Sequence, residues 1–228
     1  MFPWILAALG LGALAMWRKG SSVYQTVPLP DPRPEDWEGW VWPIPIHDGR
    51  IPQVSQEWKP GHDPGVGHSS GKTANHLGVD IMYPKRAGDP PGAVKHDASS
   101  HFIAPAGIPV LAAGPGKIWG TYQSAYGLSV LVDHGNVNQN LGGVNTFYQH
   151  LSALARDWKK GDEVKPGDVL GTWGFSTAQA DGEQLRHLHF ELRFPRSGYD
   201  PDAWRIDARP YMRFWRMLKD PTEQPGVA

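Results

Sequence analysis

The sequence predicts a mainly β protein built on an antiparallel sheet, preceded by a hydrophobic N-terminal helix and an extended linker. Three observations lead there. The stretch LRHLHFELRF, residues 185–194, alternates almost without a slip: Leu188, Phe190, Leu192 and Phe194 share one parity, and His187, His189, Glu191 and Arg193 the other. That is the period of a strand with one face in a core. From Asn75 onward the short runs LGVDIMY, IPVLAA, GKIWGTY, LSVLVDH, NTFYQHL and DVLGTWG are rich in β-formers and punctuated by Gly, Pro, Asn or Asp. The 27 Gly and 22 Pro, about a fifth of the 228 residues, suit many short strands joined by turns.

Residues 1–19 read as a hydrophobic membrane anchor or a signal segment. Phe2 to Trp17 carry no charge, and Arg18 and Lys19 follow at once. The run is shorter than the roughly 20 residues a spanning helix needs. Ala13 to Ala15 has the look of a signal-peptidase site, but no basic region precedes it. The expected partner of residues 2–17 is a membrane, and the expected location is the cell envelope, with secretion as the alternative. An anchored chain with Arg18 and Lys19 beyond the apolar run would favour placing the remainder on the cytoplasmic side.

Residues 20–60 read as a Pro/Trp-rich linker. VPLPDPRPEDW is Pro-rich and charged, hence extended and stiff. Trp37, Trp40 and Trp42 follow, and aromatic clusters of this kind pin a linker to its domain by packing. One domain is expected over residues 61–215, with a C-terminal tail at 216–228. Within the domain, residues 84–101 have turn composition and read as a long surface loop. LSALARDWKKGD (residues 151–162) is the one short helical candidate, and residues 201–220 carry apolar residues in a pattern that could dock as a short helix.

Charge and cysteine narrow the chemistry. Lys plus Arg (22) nearly equals Asp plus Glu (23), so no global field draws the chain to nucleic acid. Cysteine is absent, which removes disulfides and thiolate metal sites. A tightly held transition metal must then use His, Asp or Glu, and ten histidines are on hand.

Three stretches concentrate those groups: HLGVD (His76 to Asp80), YQHL (Tyr148 to Leu151) and HLH (His187 to His189). Residues two or four apart on a strand share a face. His76 would therefore sit with Asp80, His187 with His189, and Tyr148 with His150. The apolar parity of the last strand faces a core, leaving its imidazoles on the opposite, solvent-reaching side. A groove there would gather four histidines and a carboxylate. Two His and one Asp suit Zn²⁺, which keeps a fourth place for water in catalytic sites and lowers that water's pKa to about 7. The two remaining histidines could move protons or hydrogen-bond an oxyanion. A non-haem Fe(II) oxygenase uses the same donor types, though with His and Asp commonly two apart rather than four.

The order of motifs from Asn75 to about Tyr211 resembles the lysostaphin-type zinc metalloendopeptidases that cut peptidoglycan cross-links. HLGVDI is similar to the family's H-x-G-x-D opening, IPVLAAGPGKI to its next strand pair, and YGLSVLVDHG and TFYQHLS to the two after. WKKGDEVKPGDVLGTWGFS resembles its G-D-x-V segment, HLHFEL its closing strand and RIDARPYM the usual end of the domain. The resemblance implies an antiparallel β-sheet or sandwich groove. It makes His76, Asp80 and His189 ligands of one zinc ion per chain, and His150 and His187 the catalytic histidines. Tyr148 is a candidate to support them from behind. The implied partner is a stem peptide or cross-bridge of bacterial peptidoglycan, in a cell's own wall or as the target of a phage virion or lysis enzyme. A non-catalytic wall-binding or regulatory member of the same fold is the alternative. The chain departs from the pattern in the long 84–101 loop, in residues 176–186, and in Arg186 where proline is common. His134, His62, His68, His96 and His101 are expected to be structural or at the surface.

Overall fold

A computed structural model describes residues 31–56, 76–89, 101–138, 142–175, 186–194 and 205–223. The hydrophobic segment 1–19 lies outside them, as do His62, His68 and His96. Among the described residues no helix is long and apolar enough to cross a membrane.

The described residues are mainly antiparallel strand, as the alternation and turn composition predict. The strands are β1 (Gln53–Gln56), β2 (Val79–Pro84), β3 (Phe102–Ile103), β4 (Pro109–Leu111), β5 (Gly116–Ser124), β6 (Gly127–Asn138), β7 (Gly142–Leu154), β8 (Glu163–Val164), β9 (Val169–Phe175), β10 (Arg186–Arg193) and β11 (Arg205–Ile206). They form one sheet in the order β1-β2-β10-β9-β7-β6-β5-β8, with β11 and β7 also paired to β10. β10, the alternating strand, is the hub. Its Leu188 to Phe190 pair β2, its His189 to Arg193 pair β7, and its first two residues pair β9. Segments far apart in sequence are thereby held at one place.

One face of this sheet is the core. Val79, Ile81 and Tyr83 of β2, Val130 and Val132 of β6, and Leu188, Phe190 and Leu192 of β10 are buried there. That face is closed by the segment expected to be linker. From Pro34 onward it is part of the domain: a 3-10 turn at Pro34–Trp37 delivers Trp37, Trp40, Val41 and Ile44 into the interior. Trp37 meets Trp40 edge-on with ring centroids 4.7 Å apart, and Tyr211 at 5.2 Å. Trp42, half-buried, packs against the same core. The aromatics thus pin the segment as predicted, but the chain they pin also supplies an edge strand, β1. Proline and charge predict stiffness; they do not show that three indoles carry enough apolar area to draw the chain into the core.

The C-terminal segment is likewise built in. A single helical turn, α1 (Arg209–Met212), docks Tyr211 and Met212, in line with the expected short helix. Residues assigned to a tail continue the fold through parallel bridges from Val41 to Arg216 and from Ile46 to Lys219. His47 Nδ1, 2.8 Å from the buried Asp220 carboxylate and 2.9 Å from Glu223, ties down their end.

The helical candidate at 151–162 is not a helix. Leu151 to Leu154 extend β7 and pair β9. The rest is a turn in which the Lys159 amide donates to Asp162 Oδ2, and Gly161 takes a φ of 93°. Leucine and alanine favour a helix locally, but an open edge on β9 pairs Leu151, Ala153 and Leu154 as strand, and the Lys-Lys-Gly-Asp sequence then turns the chain.

Candidate metal centre

β2 and β10 lie side by side with His189 directly opposite Asp80. The strand β2 begins only at Val79, yet the chain before it returns His76 to the same face. The three donor atoms form a nearly equilateral triangle: His76 Nε2 to Asp80 Oδ1 is 3.0 Å, Asp80 Oδ1 to His189 Nδ1 is 3.0 Å, and His189 Nδ1 to His76 Nε2 is 3.2 Å. Bonds of 2.0–2.1 Å to a tetrahedral ion imply donor separations of about 3.4 Å. A slight outward relaxation therefore brings all three onto one cation. All three residues are buried.

Approach this close needs Gly78. A Cβ there would lie 2.6 Å from both His189 Nε2 and the Phe190 carbonyl oxygen. Any larger side chain would keep the His189 ring from lying against the chain between His76 and Asp80.

The two further histidines converge on the same place. His187 Nε2 is 3.6 Å from Asp80 Oδ2. The His150 ring stands edge-on to His187 with centroids 4.6 Å apart, and 5.9 Å from His189. All five residues singled out in the sequence thus meet in one cluster, but not as simple alternation predicts. Tyr148 and His150 should share a face, and they do not. Tyr148 is fully buried in the core against Phe190, its strand partner, with centroids 5.4 Å apart. Its hydroxyl accepts from the Ala113 amide at 2.8 Å and is hydrogen-bonded to Thr146 Oγ1 at 2.9 Å. It supports the sheet from the far side and does not touch the cluster's imidazoles.

His150 reaches the cluster because β7 breaks step there. β7 pairs β10 up to Gln149 and β9 from Leu151 onward. Its register with β6 also slips at this point. His150 sits at the junction with φ 68°, left-handed backbone uncommon for a non-glycine residue. A bulge of this kind re-aims one side chain to the opposite face. The ring is then fixed by its Nδ1–H, which donates to the Tyr126 carbonyl at 2.7 Å, so a neutral ring keeps its lone pair on Nε2.

The polar face of β10 is not solvent-reaching either. His187, His189, Glu191 and Arg193 are all buried. Glu191, which the alternation placed on this face without a role, lies behind His189. Its Oε1 is 3.1 Å from His189 Nε2, while Oε2 accepts from Arg193 Nε at 2.7 Å and Arg205 Nε at 2.8 Å. Two residues along one strand face is the spacing that would have flagged it.

Electrostatics follow from this packing. Burial raises the Asp80 carboxyl, but the charge on His187 and hydrogen bonds from His189 and His76 outweigh it and hold it well below the usual range. Burial raises Glu191 too, yet Arg193, His189 and Arg205 bring it to about 2. Burial lowers His189, but its bonds to Asp80 and Glu191 lift it to about 9. Burial, reinforced by His187 and His189, pushes His150 well below its ordinary value, so it is neutral near pH 7. Two ionised carboxylates on either side of one imidazole call for a positive charge between the three donors. A proton meets that demand, and so does a divalent cation. The set of two imidazoles and one carboxylate is borderline in softness and suits zinc.

The other histidines stay apart. His134 donates through Nδ1 to the Pro115 carbonyl and bonds Thr146 through Nε2. His101 is exposed, its carbonyl accepting from the Lys85 amide. Among the described residues neither joins a metal-binding group.

Fold and cluster together define a β-sheet domain with a buried two-His, one-Asp group that could hold a cation, flanked by two further imidazoles. The profile of peptidase family M23 matches residues 96–201. The match takes in His150, His187 and His189 but starts beyond His76 and Asp80, which the structure brings to the same point. The peptidoglycan DD-endopeptidase ShyC of Vibrio cholerae is 33% identical over 110 residues, covering 48% of this chain and 23% of that protein. The chain thus spans under a quarter of that relative's length. Similar solved structures include a zinc-containing peptidase from Vibrio cholerae at 22% identity and TM-score 0.46, covering 74% of this chain and 39% of that one. The catalytic domain of lysostaphin from Staphylococcus simulans is 20% identical with TM-score 0.43, covering 73% and 94%. The SpoIIIAH and SpoIIQ complex is 19% identical with TM-score 0.48, covering 76% and 99%.

Proposed function

We propose that this chain is a zinc-dependent endopeptidase that hydrolyses peptide cross-links of bacterial peptidoglycan. The observation that carries the reading is the triangle of His76 Nε2, Asp80 Oδ1 and His189 Nδ1, with edges of 3.0–3.2 Å, beside the two imidazoles of His150 and His187. The match to the peptidase family M23 profile supports hydrolysis, and the curated relative's name supports peptidoglycan as the substrate class. His76, Asp80 and His189 would hold the ion. Zinc there supplies a Lewis acid for an amide carbonyl and makes water acidic enough to attack near neutral pH.

The chain's own groups do the rest. His150, neutral and steadied by the Tyr126 carbonyl, offers Nε2 to take the proton of the attacking water. His187, its Nε2 3.6 Å from Asp80 Oδ2, donates to the oxygen that becomes negative as the carbonyl carbon turns tetrahedral. The proton held on His150 then passes to the leaving amine. The hydrophobic run at 2–17 would keep the domain at a membrane within the cell envelope, or in a phage particle that must breach a wall.

The test is digestion of purified sacculi with zinc-loaded protein, with the released fragments read by mass spectrometry. Cleaved cross-links with wild type, and none with His189→Ala or after chelation, are expected. Intact sacculi with a fully zinc-loaded wild type would sink the proposal.

A further inference from the structure

The three donor atoms of the cluster are not alike. His76 faces the triangle through Nε2, and His189 through Nδ1. An imidazole can ligate only through the nitrogen that lacks a proton, so His189 must carry its proton on Nε2. Nothing in the triangle itself enforces that.

We propose that Glu191 is a positioning residue that sets the His189 tautomer, and that Arg193 and Arg205 determine which way Glu191 can act; this rests on the zinc-site reading above. Glu191 Oε1 stands 3.1 Å from His189 Nε2 and can only accept there, which keeps the proton on Nε2 and the lone pair on Nδ1. The second oxygen is saturated. Arg193 Nε and Nη2 reach Oε2 at 2.7 and 2.6 Å, and Arg205 Nε at 2.8 Å. All three are obligate donors. They fix the carboxylate's orientation and leave Oε1 for the histidine. Glu191 and Arg193 are buried, so no bulk water competes for these bonds.

The arrangement makes an unusual prediction for Glu191→Gln, which keeps shape and volume. The arginines demand an acceptor, so the amide must turn its oxygen toward them. Its NH₂ then faces His189 Nε2 and donates. That bond favours the proton on Nδ1, the position the metal needs. The variant should keep its fold and lose metal affinity.

Zinc dissociation constants are to be measured by chelator competition on the full chain, alongside melting of the metal-free protein. Glu191→Gln should bind zinc about 10–100-fold more weakly. Ring-nitrogen NMR of zinc-loaded wild type should show His189 bound through Nδ1 with a proton on Nε2, a readout that needs no variant to fold. Zinc bound through His189 Nε2, or an unchanged dissociation constant in Glu191→Gln, overturns the proposal. A wild type that binds zinc but leaves sacculi intact refutes the hydrolase reading alone. A wild type that takes up no zinc refutes the site, and the Glu191 role with it.

Discussion

A Gly78→Ala substitution would put a methyl carbon 2.6 Å from His189 Nε2, 2.6 Å from the Phe190 carbonyl oxygen and 2.7 Å from His189 Cε1. Ordinary contacts to a Cβ begin near 3.4 Å. The carbonyl belongs to the β10 backbone and cannot swing away; the imidazole is held from both sides by Asp80 and Glu191. Gly78 does not use left-handed backbone, so alanine alone would stabilise by about 0.4–1 kcal/mol through the unfolded state. Overpacking opposes this with about 1–3 kcal/mol. The net loss should be about 1–2 kcal/mol, or a melting temperature lower by about 2–8 °C for a chain of this size. The displaced ring should also weaken zinc binding by about 10-fold or more. Thermal unfolding with and without zinc reads both, because the stabilisation that zinc confers tracks its affinity. A variant that melts at or above wild type, with the same zinc-induced shift, would refute the packing of the 76–78 segment against β10.

Further outcomes follow from the same geometry. His76→Ala and Asp80→Asn should lose bound zinc by elemental analysis, whereas His150→Ala and His187→Ala should retain it and lose about 10²–10⁴-fold in sacculus digestion. Tyr148→Phe should leave zinc binding unchanged and destabilise by about 1–3 kcal/mol, because the buried Ala113 amide loses its acceptor; a variant that loses zinc would return Tyr148 to the site. Trp37→Ala should cost about 3–5 kcal/mol in urea unfolding if residues 34–46 are core, and close to nothing if they are a detached linker. His134 is held to about 4, mainly by desolvation and against its bond to the Pro115 carbonyl. With a folded value below the unfolded 6.5, the unfolded chain binds the extra proton. Its contribution is therefore complete above about pH 6.5 and lost as pH falls toward 4. Melting temperatures across that window should fall more steeply in wild type than in His134→Gln.

Alternation along one strand is a local property, and it was legible wherever the strand stayed regular. The 185–194 pattern by itself assigns Leu188, Phe190 and Leu192 to a core and His187, His189 and Glu191 to the other face, and the structure keeps every one of those assignments. The absence of cysteine and the ordered motifs likewise single out His76, Asp80, His150, His187 and His189, which the structure brings into one cluster. Three things needed the tertiary structure. The left-handed backbone at His150 arises because β7 exchanges β10 for β9 there, and no local sequence code announces a change of partner. The polar face of β10 is buried in the tertiary structure, so Glu191 could be placed on a face but not behind His189. Trp37 and Trp40 enter the core, and Leu151 to Leu154 stay extended, because an open sheet face and an open sheet edge await them. Composition gives each segment its intrinsic preference; the neighbouring strand, set by residues a hundred positions away, decides whether that preference prevails.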